Sequence, residues 1–187
     1  MNNQTIPHHE PTISVDFVSQ SLSMNDLNDL CDATDAAVEA GGGFGWVDLP
    51  SREILESYWS GVVTAPMREL FVARLDQTIC GTTQLLLPPK NNEAQGHMVT
   101  LTTNFVAPWA RGHGLAKMLL EKVEKKCIKD GFSIINLDVR DTMKDAIRLY
   151  ESLGYQEFGA HPYSVRANGE TIKSKFYYKV INEDFFK

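Results

Sequence analysis

The sequence lacks an excess of basic residues. It has 18 Lys and Arg against 24 Asp and Glu, which gives a formal net charge of -6. Nucleic-acid backbones and anionic membranes both select for an excess of Lys and Arg, so this balance argues against either as the main partner. An anionic small molecule would have to be held by local geometry, because the charge of the whole protein does not attract it.

Long apolar segments are also absent. No run approaches the roughly 20 apolar residues that a transmembrane helix requires, and the polar residues 1–12 contain no apolar core of a signal peptide. We therefore expect neither export nor membrane insertion, and we predict a cytoplasmic protein. The 187 residues suit one domain with a full core, which we place at residues 13–187, behind a mobile tail at residues 1–12.

Cysteine is scarce. Cys31, Cys80 and Cys127 are an odd number, and no pair has the Cys-x-x-Cys spacing, so neither a disulfide framework nor a zinc site is indicated. The adjacent His8 and His9 are a weak signal for a metal, because they lie in the polar N-terminal segment. We therefore expect no bound metal.

The overall composition is that of a folded protein, with 43% hydrophobic and 22% charged residues. Alternating apolar residues, or short β-rich runs, predict strands, and apolar residues at helical spacing predict helices. The predicted strands are residues 13–17, 69–75, 78–87, 98–106, 133–139, 163–167 and 173–180. The predicted helices are residues 23–40, 51–62, 114–130 and 144–153. Asn168-Gly169 predicts a hairpin between the last two strands.

One segment, from Val106 to Ala116, joins a predicted strand to a predicted helix. The free N–H groups and the positive dipole end of a helix N-terminus bind anions. Gly112 and Gly114 would let the backbone approach phosphate oxygens, and Arg111 would add charge. The segment lacks the Gly-Lys-Ser/Thr ending of a nucleoside-triphosphate loop and the three-glycine dinucleotide fingerprint. On spacing alone, a tight turn without a ligand is an equal alternative.

The wider pattern V-x-P-x-x-R-G-x-G-L-A resembles motif A of the GNAT superfamily of acyl-CoA-dependent N-acetyltransferases. Further along, Leu137-x-Val139, then Ala146, Leu149-Tyr150 and Gly154-Tyr155, resemble motif B. The resemblance implies an α/β (α+β) GNAT fold, with a central, mixed, mostly antiparallel twisted sheet of about seven strands flanked by about four helices. Because homodimers are frequent in that superfamily, it also implies a homodimer.

The resemblance further implies acetyl-CoA as co-substrate and a primary amine that attacks the thioester directly. The residues it implies for binding the cofactor are Phe105, Val106, Arg111, Gly112, His113, Gly114, Leu115, Ala116 and Tyr150. A backbone amide at Phe105 or Val106 would polarise the acetyl carbonyl, and Tyr150 would protonate the leaving sulfur. The alternative for Tyr150 is an aromatic core residue on an amphipathic helix.

Most of residues 13 to 181 also resemble the tabtoxin-resistance acetyltransferases, which implies a small-molecule amine as acceptor. The segments that carry this likeness are Gly41 to Phe44, His97 onward, Leu137-Asp138, and Pro162-Tyr163 through Asn168-Gly169 to Lys179. Those relatives have a glutamate where this sequence has Thr100, which cannot accept a proton at neutral pH. Met143 also replaces the asparagine common in motif B.

A base must therefore come from elsewhere. Asp138 matches a carboxylate of those relatives, and we predict it as a catalytic residue that orients water or the amine. An equal alternative is that its side chain caps the following turn. His97 and Glu93 are further candidates for the base.

The acceptor pocket is expected between the loop after the first helix and the C-terminal hairpin. Phe44, Trp46 and Tyr163 are the candidates for its walls, with a role as packing aromatics as the alternative. Two other functions remain open. A non-catalytic acyl-CoA-binding module would explain Thr100 and Met143, and a protein or peptide N-acetyltransferase would require an acidic groove for a basic tail.

Overall fold

The computed structural model describes residues 10–42, 45–167 and 169–186. Within these ranges, seven strands form one sheet in the order β1-β2-β3-β4-β5-β7-β6. The strands are β1 (Ile13–Val18), β2 (Arg68–Leu75), β3 (Thr78–Leu86), β4 (Met98–Val106), β5 (Ile134–Arg140), β6 (Gln156–Ala167) and β7 (Glu170–Val180). Four α-helices lie in the same ranges, α1 (Met24–Glu39), α2 (Arg52–Thr64), α3 (Leu115–Lys129) and α4 (Lys144–Ser152). β4 and β5 run parallel, and the other neighbours are antiparallel.

Local sequence signals begin and end several of these elements. The Ser23 hydroxyl accepts a hydrogen bond from the Asp26 N–H at 3.1 Å and so caps α1. The turn between β2 and β3 places Asp76 and Gln77 at φ 47° and 75°. Two successive positive φ angles match the right-handed twist of a tight hairpin. The helix predicted at residues 23–40 and the strands predicted at residues 69–75 and 78–87 are thus confirmed to within one residue at each end.

The two faces of the sheet carry separate cores. On one face, α1 and α2 pack on the sheet through buried residues that include Leu30, Leu55, Trp59, Leu70, Val72, Ile79 and Phe105. On the other face, α3 and α4 contribute to a cluster that includes Phe71, Leu101, Leu119, Val123, Leu137, Val139 and Tyr150. Because side chains alternate along a strand, Asn136 and Asp138 lie on the face opposite Leu137 and Val139, as predicted.

The parallel strands β4 and β5 diverge partway along their length. Their pairing runs from Met98–Ile134 to Leu101–Leu137 and then ends. β4 contains a bulge at this point, where Thr103 adopts φ 52° and the register with β3 shifts. A bulge bends a strand and re-aims the side chains that follow it. The result is a gap between the end of β4 and β5.

The C-terminal hairpin is longer than predicted. β6 begins at Gln156, whereas the sequence placed its strand at residues 163–167. The prediction missed the first half of this strand because it contains Gly159 and Pro162, and both residue types usually interrupt strands. β6 tolerates Pro162 because it is an edge strand, paired only with β7, and its register shifts between His161 and Val165.

Three predictions concern residues outside the described ranges or only partly inside them. Residues 1–9, most of the predicted tail, lie outside, as do Phe44 and Asn168. In the described part of the chain, no helix is long and apolar enough to cross a membrane.

Candidate active site

A cleft of about 610 Å³ opens where β4 and β5 diverge. Its walls come from the end of β4, from the loop and first turn of α3, and from the beginning of α4. The described lining residues include Asn104, Phe105, Val106, Arg111, Gly112, Gly114, Leu115, Ala116, Lys117, Thr142, Met143, Lys144 and Ala146. The structure therefore brings most of the predicted cofactor-binding residues into one cleft.

The loop at the N-terminus of α3 has the backbone geometry that an anion site needs. Gly112 and Gly114 adopt φ 88° and 74°, and a Cβ at either position would meet no heavy atom within 4 Å. Positive φ favours glycine, and the open space lets a ligand approach the backbone. α3 begins directly after Gly114, so its first N–H groups lack partners within the helix. Arg111 adds a positive charge beside them.

The end of β4 presents a backbone N–H to the gap. Successive N–H groups of an extended strand point to opposite edges. The Ala107 N–H donates to the Cys80 carbonyl at 2.7 Å, which is the edge facing β3. The preceding N–H, that of Val106, is therefore directed to the other edge, where the gap to β5 lies. Of the two predicted amides, Val106 has the orientation to act as a donor there.

Tyr150, on α4, is both a core residue and a site residue. Its side chain is 4% exposed, and its ring contacts the rings of Tyr155 and Tyr177 at centroid distances of 5.7 and 6.5 Å. Its hydroxyl oxygen accepts a hydrogen bond from the Asn104 side-chain amide at 2.9 Å. Burial raises the pKa of the Tyr150 hydroxyl, and the negative charge of Asp138 raises it further, while the Asn104 hydrogen bond lowers it. The net shift is upward, so the phenol keeps its proton at neutral pH.

A second cavity, of about 490 Å³, adjoins the cleft. We call it the acceptor cavity. Its described lining is Gly42, Gly45, Trp46, Tyr58, Arg68, Leu86, Leu101, Thr102, Thr103, Asn104, Asp138, Val139, Arg140, Met143, Ala146, Tyr150 and Val165. Asn104 lines both this cavity and the cleft. The bulge at Thr103 thus places Asn104 where the two spaces meet.

Asp138 is the one carboxylate among the described residues of the acceptor cavity. It lies on β5 and is largely exposed. In the described part of the turn after β5, backbone N–H groups bond to the carbonyls of Lys173, Arg140 and Thr142, and none bonds to the Asp138 carboxylate. The capping alternative therefore has no hydrogen bond to support it. Asp138 is close enough to Tyr150 for its charge to act on the phenol.

Other predicted residues lie away from the two cavities or contribute differently. Tyr163 is 72% exposed, and Val165 of the same strand lines the acceptor cavity instead. His113 is exposed and is not among the described lining residues of the cleft. Leu115 is buried in the core, so its backbone is the part available to the cleft. Trp46 lines the acceptor cavity and contacts Tyr58 edge-on at 4.9 Å.

The remaining candidates for a base do not line either cavity in the described residues. His97 stacks on Phe185 at 4.8 Å. Glu93 belongs to an exposed single turn, Glu93–Gln95.

Thr100 pairs with Asn136 on β5. Met143 lines both cavities.

Sequence reasoning missed Asn104, Arg68 and Arg140. Asn104 lies inside the predicted strand at residues 98–106, and the bulge at Thr103 brings it to Tyr150. Arg68 and Arg140 begin and end strands, which is common for exposed polar residues.

Comparison with known proteins agrees with this geometry. A model of the acetyltransferase (GNAT) family matches residues 32–155. An uncharacterized N-acetyltransferase of the hisH-hisA intergenic region of Azospirillum brasilense is 59% identical over 124 residues, which are 66% of this chain and 74% of that protein.

Two solved structures share the fold. An N-acetyltransferase from Staphylococcus aureus superposes with a TM-score of 0.75 at 14% identity, covering 91% of this chain and 99% of that one. An acetyltransferase from Salmonella typhimurium, solved with its cofactor acetyl-CoA, gives a TM-score of 0.69 at 15% identity, covering 91% and 95%. The predicted α+β GNAT fold is thereby confirmed, while the likeness to tabtoxin-resistance enzymes stays a prediction. The chain belongs to the acetyltransferase (GNAT) family and is an N-acetyltransferase.

Proposed function

We propose that the protein acetylates the primary amine of a small molecule, with Asp138 and Tyr150 handling the proton transfers. The observation that carries the proposal is the position of Asn104 at the junction of the cleft and the acceptor cavity, bonded to the Tyr150 hydroxyl. The acceptor cavity of about 490 Å³ has the size of a small-molecule site.

The residues present fit acetyl-CoA. Gly112 and Gly114 leave the backbone open at the start of α3, where N–H groups and the helix dipole would hold the pyrophosphate. Arg111 would add a charge-assisted bond. When bound, acetyl-CoA supplies a thioester whose carbonyl carbon is open to attack by an amine.

Within the site, each residue has a separate task. The Val106 N–H is oriented to donate to an oxygen that gains negative charge in the gap. The Asp138 carboxylate would accept the proton of the amine, directly or through water. The Tyr150 oxygen accepts from Asn104, so its own hydrogen is left to be donated, and the raised pKa keeps that hydrogen in place. Tyr150 would donate it to the departing sulfur.

Turnover and binding measurements test the assignment. With acetyl-CoA and a panel of amines, release of free CoA gives kcat and KM, and calorimetry gives the Kd for CoA. We expect Tyr150→Phe and Asp138→Asn each to lower kcat by about a hundredfold or more, with CoA affinity nearly unchanged. Tyr178→Phe and Asp141→Asn are matched controls, because neither residue lines a described cavity.

Three outcomes would contradict the proposal or part of it. Binding of CoA without acetylation of any amine would favour the non-catalytic module. Acetylation of peptide amines in preference to small ones would favour the peptide alternative. Equal losses in the catalytic and control variants would remove the roles given to Tyr150 and Asp138.

A further inference from the structure

Two arginines line the acceptor cavity on different strands. Arg68 begins β2, and Arg140 ends β5. The register carries Arg68 across Leu86 and Thr100 to Asn136, so these residues form one row across the sheet. With strands about 4.8 Å apart, the row from β2 to β5 spans about 14 Å between Cα atoms. Arg140 lies four residues beyond Asn136 on β5, so the two arginines line the cavity from two different strands, β2 and β5.

Arg68 is held in place by neutral partners. Its Nη1 donates to the Gln84 Oε1 at 2.7 Å, and the Gln84 Nε2 donates to the Tyr58 hydroxyl at 3.0 Å. Gln84 is fully buried, so this chain of hydrogen bonds fixes the guanidinium. No carboxylate of the described residues forms an ion pair with Arg68. Its charge is oriented and uncompensated.

Arg140 is in a similar electrostatic position. It is half-buried and lies on the same side of β5 as Asp138, two residues along. Over the described chain, none of the ion pairs within 4.0 Å includes Arg140, and its distance from Asp138 exceeds that limit. The cavity lining therefore has two Arg and one Asp, a local charge of +1 in a protein whose formal net charge is -6.

We propose that the acceptor carries an anionic oxyacid group as well as its amine, and that Arg68 binds this group, with Arg140 supplying the second positive charge of the cavity. The inference rests on the proposed function, because it describes the acceptor of that site. A guanidinium presents paired N–H donors that match a carboxylate or phosphate. Asp138, Asn104 and Tyr150 bound the end of the cavity where the amine reacts, so the acceptor is bifunctional.

The same charges disfavour other acceptors. A polyamine or a basic peptide tail would place a second cation beside Arg68 and Arg140, against a single carboxylate. The acidic groove expected for a basic tail has the opposite sign to the cavity observed.

Matched amines test the inference by turnover and by binding. The probes are lysine and lysinamide, alanine and alaninamide, phosphoethanolamine and ethanolamine, and cadaverine as a dication. We expect the member with the oxyacid group, in at least one pair, to have a kcat/KM about ten- to a hundredfold above its partner without that group. The carboxylate and phosphate pairs distinguish the two kinds of oxyacid.

Substitutions then show which residue causes the preference for an amine with an oxyacid group. Arg68→Gln should lower kcat/KM about ten- to a hundredfold more for the amine that carries the oxyacid group than for its partner that lacks it. Arg68→Lys keeps the positive charge but lacks the paired N–H donors of a guanidinium, so it should recover part of the loss. Arg166→Gln is the control, since Arg166 is exposed and lines neither described cavity. Circular dichroism verifies that each variant is folded.

Calorimetric binding of the same amines to the CoA-loaded protein separates this inference from the proposed function. Preferential binding of the anionic amines without turnover would support the anion site and contradict the catalytic proposal. Turnover with equal kcat/KM for both members of every pair, or a preference for cadaverine, would overturn the anion site and leave the catalytic proposal standing.

Discussion

At the scale of a single residue, Asn104 lies where the cleft and the acceptor cavity meet. Its amide nitrogen bonds to the Tyr150 hydroxyl, and its carbonyl oxygen is buried with no hydrogen-bond partner in the described residues. A buried polar atom without a partner costs free energy. Its position between cleft and cavity suggests that a bound ligand satisfies it.

Replacing Asn104 should affect turnover more than cofactor binding. Asn104→Ala removes the bond that orients the Tyr150 hydroxyl, and we expect kcat to fall about ten- to a hundredfold. The Kd for CoA should change much less. Asn92→Ala, which removes a half-buried asparagine bonded to Gln95 and lining neither described cavity, should leave both unchanged. Steady-state kinetics and calorimetry measure the two quantities, and an unchanged kcat for Asn104→Ala would refute the positioning role.

The two site residues show what a sequence can reveal. Tyr150 was predictable because it belongs to a motif with fixed local spacing on one helix. Asn104 was not, because its contact with Tyr150 depends on a bulge that no local pattern announces. Tyr163 shows the opposite case. The sequence placed this aromatic residue in a strand but could not tell whether its side chain faces the cavity or the solvent.

At the scale of an element, α3 has a left-handed glycine at each end. Gly114 precedes it with φ 74°, and Gly131 follows it with φ 86°. In both places a Cβ would meet no heavy atom within 4 Å. The two glycines thus share their backbone conformation and differ in what lies next to them, because only Gly114 borders the cleft.

Alanine at these two positions should separate stability from binding. Gly114→Ala and Gly131→Ala should each lower the free energy of unfolding by about 1–2 kcal/mol, because a Cβ strains the left-handed conformation. Only Gly114→Ala should weaken CoA binding. Chemical denaturation and calorimetry provide the two readouts. Equal CoA affinity in the two variants would show that the loop is a turn and not a phosphate site.

The bounds of the helices and strands were more predictable from the sequence than the contacts between these elements. β4 was predicted with its observed bounds, and α3 and α4 within a residue or so of theirs, because caps, glycines and apolar spacing are local. The parallel pairing of β4 with β5, and its early end, are long-range features. The gap that forms the site therefore appeared only in the structure.

At the scale of the whole molecule, every cysteine is enclosed. Cys31, Cys80 and Cys127 are free thiols and are fully buried. Burial raises the pKa of Cys31 and Cys80 to about 11 and that of Cys127 to about 12. The folded protein thus retains thiol protons that the unfolded chain loses above its ordinary value of 9.0.

This linkage predicts a loss of stability at alkaline pH. Because the folded pKa values lie above the unfolded one, the stabilising contribution is complete below about pH 9 and is lost as the pH rises toward 12. Denaturation curves at pH 8 and 10 should show the lower free energy of unfolding at pH 10. A disulfide reagent at pH 8 should find 3 thiols after unfolding and essentially none before. Rapid labelling of the native protein would contradict the burial.

The short pairing between Met98–Leu101 and Ile134–Leu137 divides the sheet into two half-sheets with a seam. Arg68 and Asn104 belong to the first half-sheet, and Asp138 and Arg140 belong to the second, with Tyr150 on the helix that follows it. Neither half-sheet contains a complete site. A ligand that contacts residues of both half-sheets adds its binding free energy to that of the few backbone hydrogen bonds between β4 and β5. A bound ligand is therefore expected to stabilise the sheet where its backbone pairing is shortest.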